Sequence, residues 1–340
     1  MSANLMPRRS VVLKRRPRDE PSADDFEIQE DAIPAPGPGE VVTRTVWLSI
    51  DPYMRGRLRE EQTYAVAIQI GEVMTGETVG EVIASNHPNF TAGDIVVGPR
   101  GWQTHNLSKG DNLVKIDRQG APLSAYLGVL GMPGATAYAG ITEICKPKQD
   151  ETVVISAASG AVGSVAGQLA KRAGARVVGI AGGPDKCLWV QDSLGFDACV
   201  DHRSHDLRAE LKAECPDGID AYFENVGGEV QAAVFEQLNP FARVAMCGMV
   251  SQYNERVFPP GPNLGFVVGK RITIQGFIVS DRPERLIEWR ALAAPLVADG
   301  GLIYREDVHD GLENAPDALV AILTGQNFGK LLVRIGPDPL

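Results

Sequence analysis

From residue 152 onward, short runs of consecutive apolar residues alternate with stretches of helical spacing. Thr152-Val153-Val154-Ile155-Ser156 reads as a strand, residues 165–173 as a helix, and Arg176-Val177-Val178-Gly179-Ile180 as the next strand. A helix over 187–194 and a third strand, Ala198-Cys199-Val200, follow, and residues 219–223, 243–246 and 272–274 supply further strands. Strands that are apolar on every residue are buried on both faces, the situation of a parallel sheet covered by helices. The alternation therefore predicts an α/β fold with a doubly wound parallel sheet. Before residue 125 the pattern differs. Residues 41–48 alternate apolar and polar as a half-buried strand does, 78–83 and 94–97 are further strand-like runs, and Val11-Val12-Leu13 marks a first strand. Pro34, Pro36, Gly37, Pro38, Gly39 and Gly93 supply turns at the spacing of a β-rich, barrel-like unit. Toward the end, 284–298 reads as a long amphipathic helix, 313–323 as another, and 330–335 as a closing strand that returns to the first domain. With 340 residues the chain exceeds what one core serves. Two domains are expected: residues 1–125 with 305–340, and residues 126–304.

The net charge of −10 does not suit a nucleic-acid binder, whose phosphate contacts need clustered cations. One stretch departs from that balance: Arg8, Arg9, Lys14, Arg15, Arg16 and Arg18 crowd into the first 18 residues. It reads either as a basic arm or, more plainly, as a solvated border of the first strand, and the second reading is preferred. No apolar run approaches the ~18 residues of a membrane span, and the first residues carry no secretory apolar stretch. Five cysteines, Cys145, Cys187, Cys199, Cys215 and Cys247, are odd in number and scattered. They fit a reduced, cytoplasmic protein better than a disulfide framework. No nucleic-acid or membrane partner is expected.

The sharpest motif is Ala158-Ser159-Gly160-Ala161-Val162-Gly163, between a strand and a helix. It has the spacing G-x-G-x-x-G with alanine in the first place. Gly160 lets the backbone approach a pyrophosphate and Gly163 lets the helix pack against the strand. The helix N-terminus then offers free N–H groups and a favourable dipole to the anion. A tight turn that binds nothing would look similar, but the strand–loop–helix–strand context favours a dinucleotide site. The second strand ends in Ala181-Gly182-Gly183 without the acidic residue that would bond the ribose 2′-hydroxyl of NAD. Lys186 follows as a positive partner, and His202 and Arg203 lie after the third strand; Asp185 is the one dissenting charge. The reading is NADP(H).

Metal sites look absent. Zinc needs three or four converging Cys, His or carboxylate ligands, and the chain has neither C-x-x-C nor H-E-x-x-H, nor any cysteine before Cys145. Ser159 is not set in the G-x-S-x-G turn of a hydrolase nucleophile. Cys247, at a strand end, reads as a small buried residue rather than a reactive thiol. Hydride addition to a double bond conjugated with a carbonyl gathers charge on the carbonyl oxygen, which a hydroxyl can stabilise without metal. Tyr53, Tyr253 and Tyr64 lie in polar, turn-rich surroundings and are candidates, although any single tyrosine is as readily a packed ring.

These residues, together with Leu48 through Arg57, Leu130 through Tyr138, Ala157 through Ser164, Tyr222 through Gly228, Cys247-Gly248, Ser251 through Asn254 and Asn327 through Lys330, give nearly the whole chain a family likeness. It resembles the zinc-independent medium-chain dehydrogenase/reductase superfamily, and within it the leukotriene/prostaglandin reductase group and the bacterial curcumin reductase type. The resemblance implies a β-rich GroES-like domain drawn from both chain ends and a Rossmann domain between. It implies hydride transfer from NADPH to the β-carbon of an α,β-unsaturated ketone, with a small-molecule enone as substrate. On it Lys186 falls on a lysine that holds the 2′-phosphate, and His202 falls where relatives often carry a tyrosine. Asn225, Cys247, Phe277 and Asn327 line the nicotinamide half, and Tyr53 and Tyr253 orient the carbonyl. A homodimer paired through the strand near 272–277 is implied as well. A quinone oxidoreductase of the same superfamily and a non-catalytic NADPH sensor are the competing readings.

Overall fold

The computed structural model describes residues 5–60, 66–117 and 120–339. The chain divides into two compact units, Met1–Leu127 with Glu306–Asn327 and Leu331–Leu340, and Gly128–Arg305 with Phe328–Lys330.

In the first unit, β1 (Met6–Leu13) and β2 (Phe26–Ile33) form an antiparallel pair of their own. The central strand of the larger sheet is β3 (Val41–Ser49), antiparallel to β4 (Thr78–Ser85) and, at its start, to a short β6 (His105–Ser108). Beyond β4 come β5 (Ile95–Gly98) and β7 (Val114–Lys115). A single turn of helix, α1 (Met54–Arg57), follows β3. The core gathers Val11, Leu13, Leu48, Ile50, Met54 and Trp102, with the ring of Tyr53 packed on its margin. The early cations are paired within this unit. Arg8 bonds Asp31, Arg9 meets Glu30 and Glu313, Arg15 bonds Asp25 at 2.7 Å, and Arg16 donates to the carbonyls of Leu58 and Arg59. Four of the six early charges are thus engaged with acids or carbonyls of their own unit.

The second unit opens with α2 (Met132–Ala139), which widens into a π-turn, Gly140–Cys145. Then β8 (Thr152–Ser156), α3 (Gly163–Arg172), β9 (Arg176–Ala181), α4 (Pro184–Asp192) and β10 (Ala198–Asp201) alternate as the apolar runs predict. They continue through α5 (Leu207–Glu214), β11 (Ile219–Glu224), α6 (Gly228–Gln237), β12 (Leu238–Met246), α7 (Gly265–Lys270) and β13 (Thr273–Gly276). The six strands are parallel in the order β10-β9-β8-β11-β12-β13. This is the doubly wound dinucleotide order, with its switch point between β8 and β11.

The last helix of this unit, α8 (Glu284–Ala298), departs from the amphipathic expectation. Ile287 and Leu292 are exposed, while Arg285, Trp289 and Ala293 form the buried stripe. Polar anchors fix that stripe: Trp289 Nε1 donates to the Val129 carbonyl, and Arg285 pairs with Glu143. The chain then returns to the first unit through β14 (Glu306–Asp310), α9 (Ala315–Leu323) and β15 (Lys330–Arg334). Leu332 of β15 sits opposite Ser49 of β3, so the two chain ends share one sheet.

Candidate active site

All five residues of the glycine-rich turn lie at the carboxyl end of β8, where the sheet order reverses. The turn is tight, and its strain falls one residue ahead of the motif: Ala157 adopts φ 49°, and its carbonyl accepts the Gly160 N–H at 2.9 Å. Gly163 is required by space. A Cβ there would stand 2.3 Å from the Ala157 carbonyl oxygen, a backbone atom that cannot yield. Ser159 is buried in the turn, while Gly160, Ala161 and Val162 keep partial exposure ahead of α3. Val162, at the N-cap of α3, makes no side-chain cap bond, and the Ser164 N–H donates to the Gly160 carbonyl at 3.0 Å. The turn has the form of an anion cradle.

A second, cationic pocket forms at the ends of β9 and β10. A Cβ on Gly182 would stand 2.8 Å from His202 Nε2 and 3.1 Å from Arg203 Nε, so both side chains lie over this backbone. Gly183 takes φ 98° and caps α4, and Pro184 starts the helix. Asp201 ties the two loops together: its Oδ1 accepts the Gly183 N–H at 2.8 Å and the Arg203 N–H at 2.9 Å. Burial raises the Asp201 carboxyl, but these two donors outweigh it and hold the group below its ordinary range. Crowding of its ring lowers the His202 pKa, and Arg203 and Lys186 push in the same direction. Because His202 is exposed overall, the facing cations are the more telling influence. Lys186, half-buried on the first turn of α4, completes the group. One carboxylate, three cationic or ionisable side chains and a backbone without Cβ suit a phosphate monoester.

The other end of the pocket is made of side chains, and the sequence reading missed its centre. Glu224 is fully buried at the end of β11. Its Oε1 accepts from Ser156 Oγ at 3.1 Å, from Val226 N–H at 2.6 Å and from Gly227 N–H at 3.0 Å. Ser156, at the end of β8, also accepts the Asn225 N–H on Oγ, and its carbonyl accepts Asn225 Nδ2, both at 2.8 Å. Two strands flanking the switch point are thereby laced together, and Asn225 is fixed in orientation. Burial raises the Glu224 pKa against the pull of the Val226 and Gly227 donors. The signal is present in the sequence as an acid closing an apolar strand before Asn225-Val226-Gly227-Gly228, but only the fold shows its partners.

Cys247 follows β12, and its N–H bonds the Glu224 carbonyl at 2.9 Å. Although the residue keeps some solvent contact, burial around the thiol pushes it up to about 12, with Glu224 adding to the effect. The hydroxyl of Tyr253 lies 3.0 Å from the place where a Cβ on Gly248 would stand. Phe277 meets Phe223 edge to face at 6.2 Å. Asn225, Cys247, Tyr253 and Phe277 thus share the carboxyl edge of the second unit's sheet. Tyr53, before α1, and Asn327 belong to the first unit. Arg57 stands 6.0 Å over the Tyr53 ring. Tyr64 lies outside the described residues. Among the described residues no three His, Cys, Asp or Glu side chains converge as metal ligands.

Residues 9–116 match a family described as the N-terminal domain of oxidoreductase, and residues 161–298 match one described as zinc-binding dehydrogenase. The chain is 46% identical over 336 residues to the NADPH-dependent curcumin reductase of Escherichia coli (strain K12), covering 97% of each chain. It is 41% identical to the NADP(+)-dependent 2-alkenal reductase of Nicotiana tabacum, over 97% of this chain and 98% of that one. Among solved structures, CurA of Vibrio vulnificus in complex with NADPH superposes with a TM-score of 0.93 at 45% identity, over 97% of this chain and all of that one.

Proposed function

We infer the activity of this chain from its membership of the zinc-independent medium-chain dehydrogenase/reductases, in the prostaglandin reductase and curcumin reductase group to which it belongs. It is an NADPH-dependent oxidoreductase that reduces the carbon–carbon double bond of α,β-unsaturated carbonyl compounds. The observation that carries the reading at residue level is the pairing, on one sheet edge, of a Cβ-free turn at Gly163 with the cationic pocket around Gly182.

The residues divide the work. Ser159, Ala161, Val162 and Gly163 present backbone N–H groups to the pyrophosphate, while the Gly160 N–H closes the turn on the Ala157 carbonyl and its missing side chain lets the anion approach. Gly182, Lys186 and His202, with Arg203, take the 2′-phosphate, and the Asp201 bonds keep that loop in place. Asn225, Cys247, Phe277 and Asn327 border the nicotinamide. Bound NADPH supplies the hydride that the β-carbon of the enone accepts. As negative charge gathers on the carbonyl oxygen, the hydroxyl of Tyr253 donates a hydrogen bond to it, a stabilisation that grows toward the transition state, and Tyr53 of the first unit is the alternative donor. Cys247 stays a protonated thiol and packs rather than attacks, in keeping with a value of about 12.

The protein is further proposed to work as a cytoplasmic homodimer. All of its cysteines are free thiols, and among the described residues no helix is long and apolar enough to cross a membrane. Strand β13 ends the six-stranded sheet with all four residues exposed, and Ile274 and Ile278 present apolar surface beside it. An edge of this kind is open to pairing with a second copy. Light scattering on the purified protein checks the mass.

The test of the activity is NADPH oxidation against a linear 2-alkenone, a dienone such as curcumin, a quinone and a saturated ketone, each with and without chelator. Turnover of the enones that survives chelation is expected. Turnover of the quinone alone would move the protein to quinone reduction, and NADPH binding without turnover of any compound would make it a sensor.

A further inference from the structure

The five cysteines all fall in the second unit and are not alike. Cys145, Cys215 and Cys247 each lie in surroundings whose burial pushes the thiol up to about 12, and protonated thiols are poor nucleophiles. Cys187 and Cys199 are twelve residues apart in sequence, yet Cys199 Sγ donates to Cys187 Sγ at 3.0 Å. That bond lowers the Cys187 pKa below its ordinary value, against burial and the nearby Asp201 and Glu210 carboxylates. The same contact, with burial, pushes Cys199 upward. Cys187 sits near the start of α4 and is buried; Cys199 keeps partial exposure on β10. A low thiol paired with a protonated neighbour is the arrangement of an attacking and a resolving cysteine.

The position of the pair matters as much as its chemistry. Cys187 follows Lys186 directly, and Cys199 stands two residues before Asp201, which holds Gly183 and Arg203. We propose that Cys187 and Cys199 are an oxidisable dithiol site that a hydroperoxide converts to a disulfide, and that closing this bond deforms the adjoining 2′-phosphate pocket. Cys187 gives up its thiol proton to solvent. Its thiolate attacks the terminal peroxide oxygen and breaks the O–O bond, leaving a sulfenic acid. The departing alkoxide, or hydroxide from hydrogen peroxide, takes a proton back from solvent and leaves as an alcohol or water. Cys199 then attacks that sulfur, the S–S bond forms, and the sulfenic oxygen leaves as water with the thiol proton. The two thiols lose two electrons and the peroxide gains them. A disulfide spans about 2.05 Å, so the sulfurs approach by about 1 Å and draw the first turn of α4 toward β10. The oxidation rests on the sulfur geometry alone. Its effect on the cofactor rests on the reading of Lys186, Gly182 and His202 as the phosphate pocket.

The experiment treats the purified full chain with hydrogen peroxide under native conditions. It then measures intact mass, maps peptides without reductant and determines KM for NADPH. A linked Cys187–Cys199 peptide pair is expected, with KM for NADPH raised about tenfold, kcat at saturating NADPH little changed, and both effects reversed by dithiothreitol. Cys199→Ser is expected to stop at a sulfenic acid on Cys187 that dimedone captures, and Cys187→Ser to give no linkage; each reduced variant serves as its own baseline. Wild-type protein that stays unlinked, or links other cysteines, overturns the site. Linkage with an unchanged KM overturns the effect on the pocket. A reduced enzyme that does not distinguish NADPH from NADH overturns the pocket reading itself, and that result is visible before any oxidant is added.

Discussion

The two ends of the proposed dinucleotide site are built from different materials. At the phosphate end the work is done by backbone and by the absence of side chains: the turn from Ala157 to Gly163 has no room for a Cβ at its last position, and Gly182 lies beneath His202 and Arg203. At the nicotinamide end the work is done by buried side chains, with Ser156, Glu224 and Asn225 lacing two strands across the switch point. A backbone cradle fails abruptly when a methyl group is added. A side-chain network loses its bonds one at a time, and its members differ in what they control. That contrast orders the consequences of mutation.

Gly163→Ala is expected to have the largest effect, because its methyl group must displace a backbone carbonyl oxygen. A stability loss of about 3 kcal/mol and failure of both NADPH and NADH to saturate are expected from denaturant melts and cofactor titration. Lys186→Glu comes next. It replaces an attraction for the 2′-phosphate by repulsion and should raise KM for NADPH about a hundredfold, while KM for NADH stays within about twofold. Equal damage to both cofactors would show that the phosphate does not sit there. Tyr253→Phe removes one hydroxyl aimed at the developing enolate; kcat should fall about 10- to 100-fold with KM for NADPH unmoved. A variant with normal kcat would remove Tyr253 from the chemistry.

Glu224→Gln is the mildest and the most specific to the buried network. The amide keeps an oxygen that accepts from Ser156, Val226 and Gly227 but cannot ionise. In the wild type burial raises the folded carboxyl above its unfolded value. Its favourable contribution is therefore complete below the unfolded pKa and is lost as pH rises through the folded one. Melting temperatures measured from about pH 4 to about pH 8 should show the variant gaining on the wild type with rising pH. A difference that does not vary with pH would mean the carboxyl ionises in both states alike.

The same contrast decides how much of the molecule is legible in its sequence. The backbone of the proposed phosphate end is legible, since the glycine spacing before α3 and the glycines that follow β9 without an acid are sequence facts, and the tight turn at Gly163 and the Cβ-free loop at Gly182 follow from them. The doubly wound sheet is legible too, because β8, β9 and β11 are almost wholly buried and read as near-continuous apolar runs; of β12 only the end, 243–246, reads so, and its start with the exposed Pro240 and Phe241 does not. Helix starts are less so. The helix expected from 187 begins at Pro184, with Gly183 as its cap, and the one expected from 313 begins at Ala315, after a short turn over Leu312–Asn314. In the first case the apolar pattern starts after the proline that the first turn accepts; in the second the first residues read as helix are taken by the short turn that precedes it. Strand β2 is exposed over its middle and β14 has three carboxylates and no buried residue, so neither gives a periodic apolar signal. Glu224 and the Cys187–Cys199 contact are out of reach, since both depend on neighbours that only strand order brings together.

The central claim is that this chain adds hydride to the β-carbon of an enone rather than to its carbonyl. Incubating the enzyme with an enone and NADPH deuterated at the transferred position, then locating the deuterium by NMR, tests it most directly. The account predicts a saturated ketone carrying deuterium on the β-carbon. An allylic alcohol carrying deuterium on the former carbonyl carbon would contradict it.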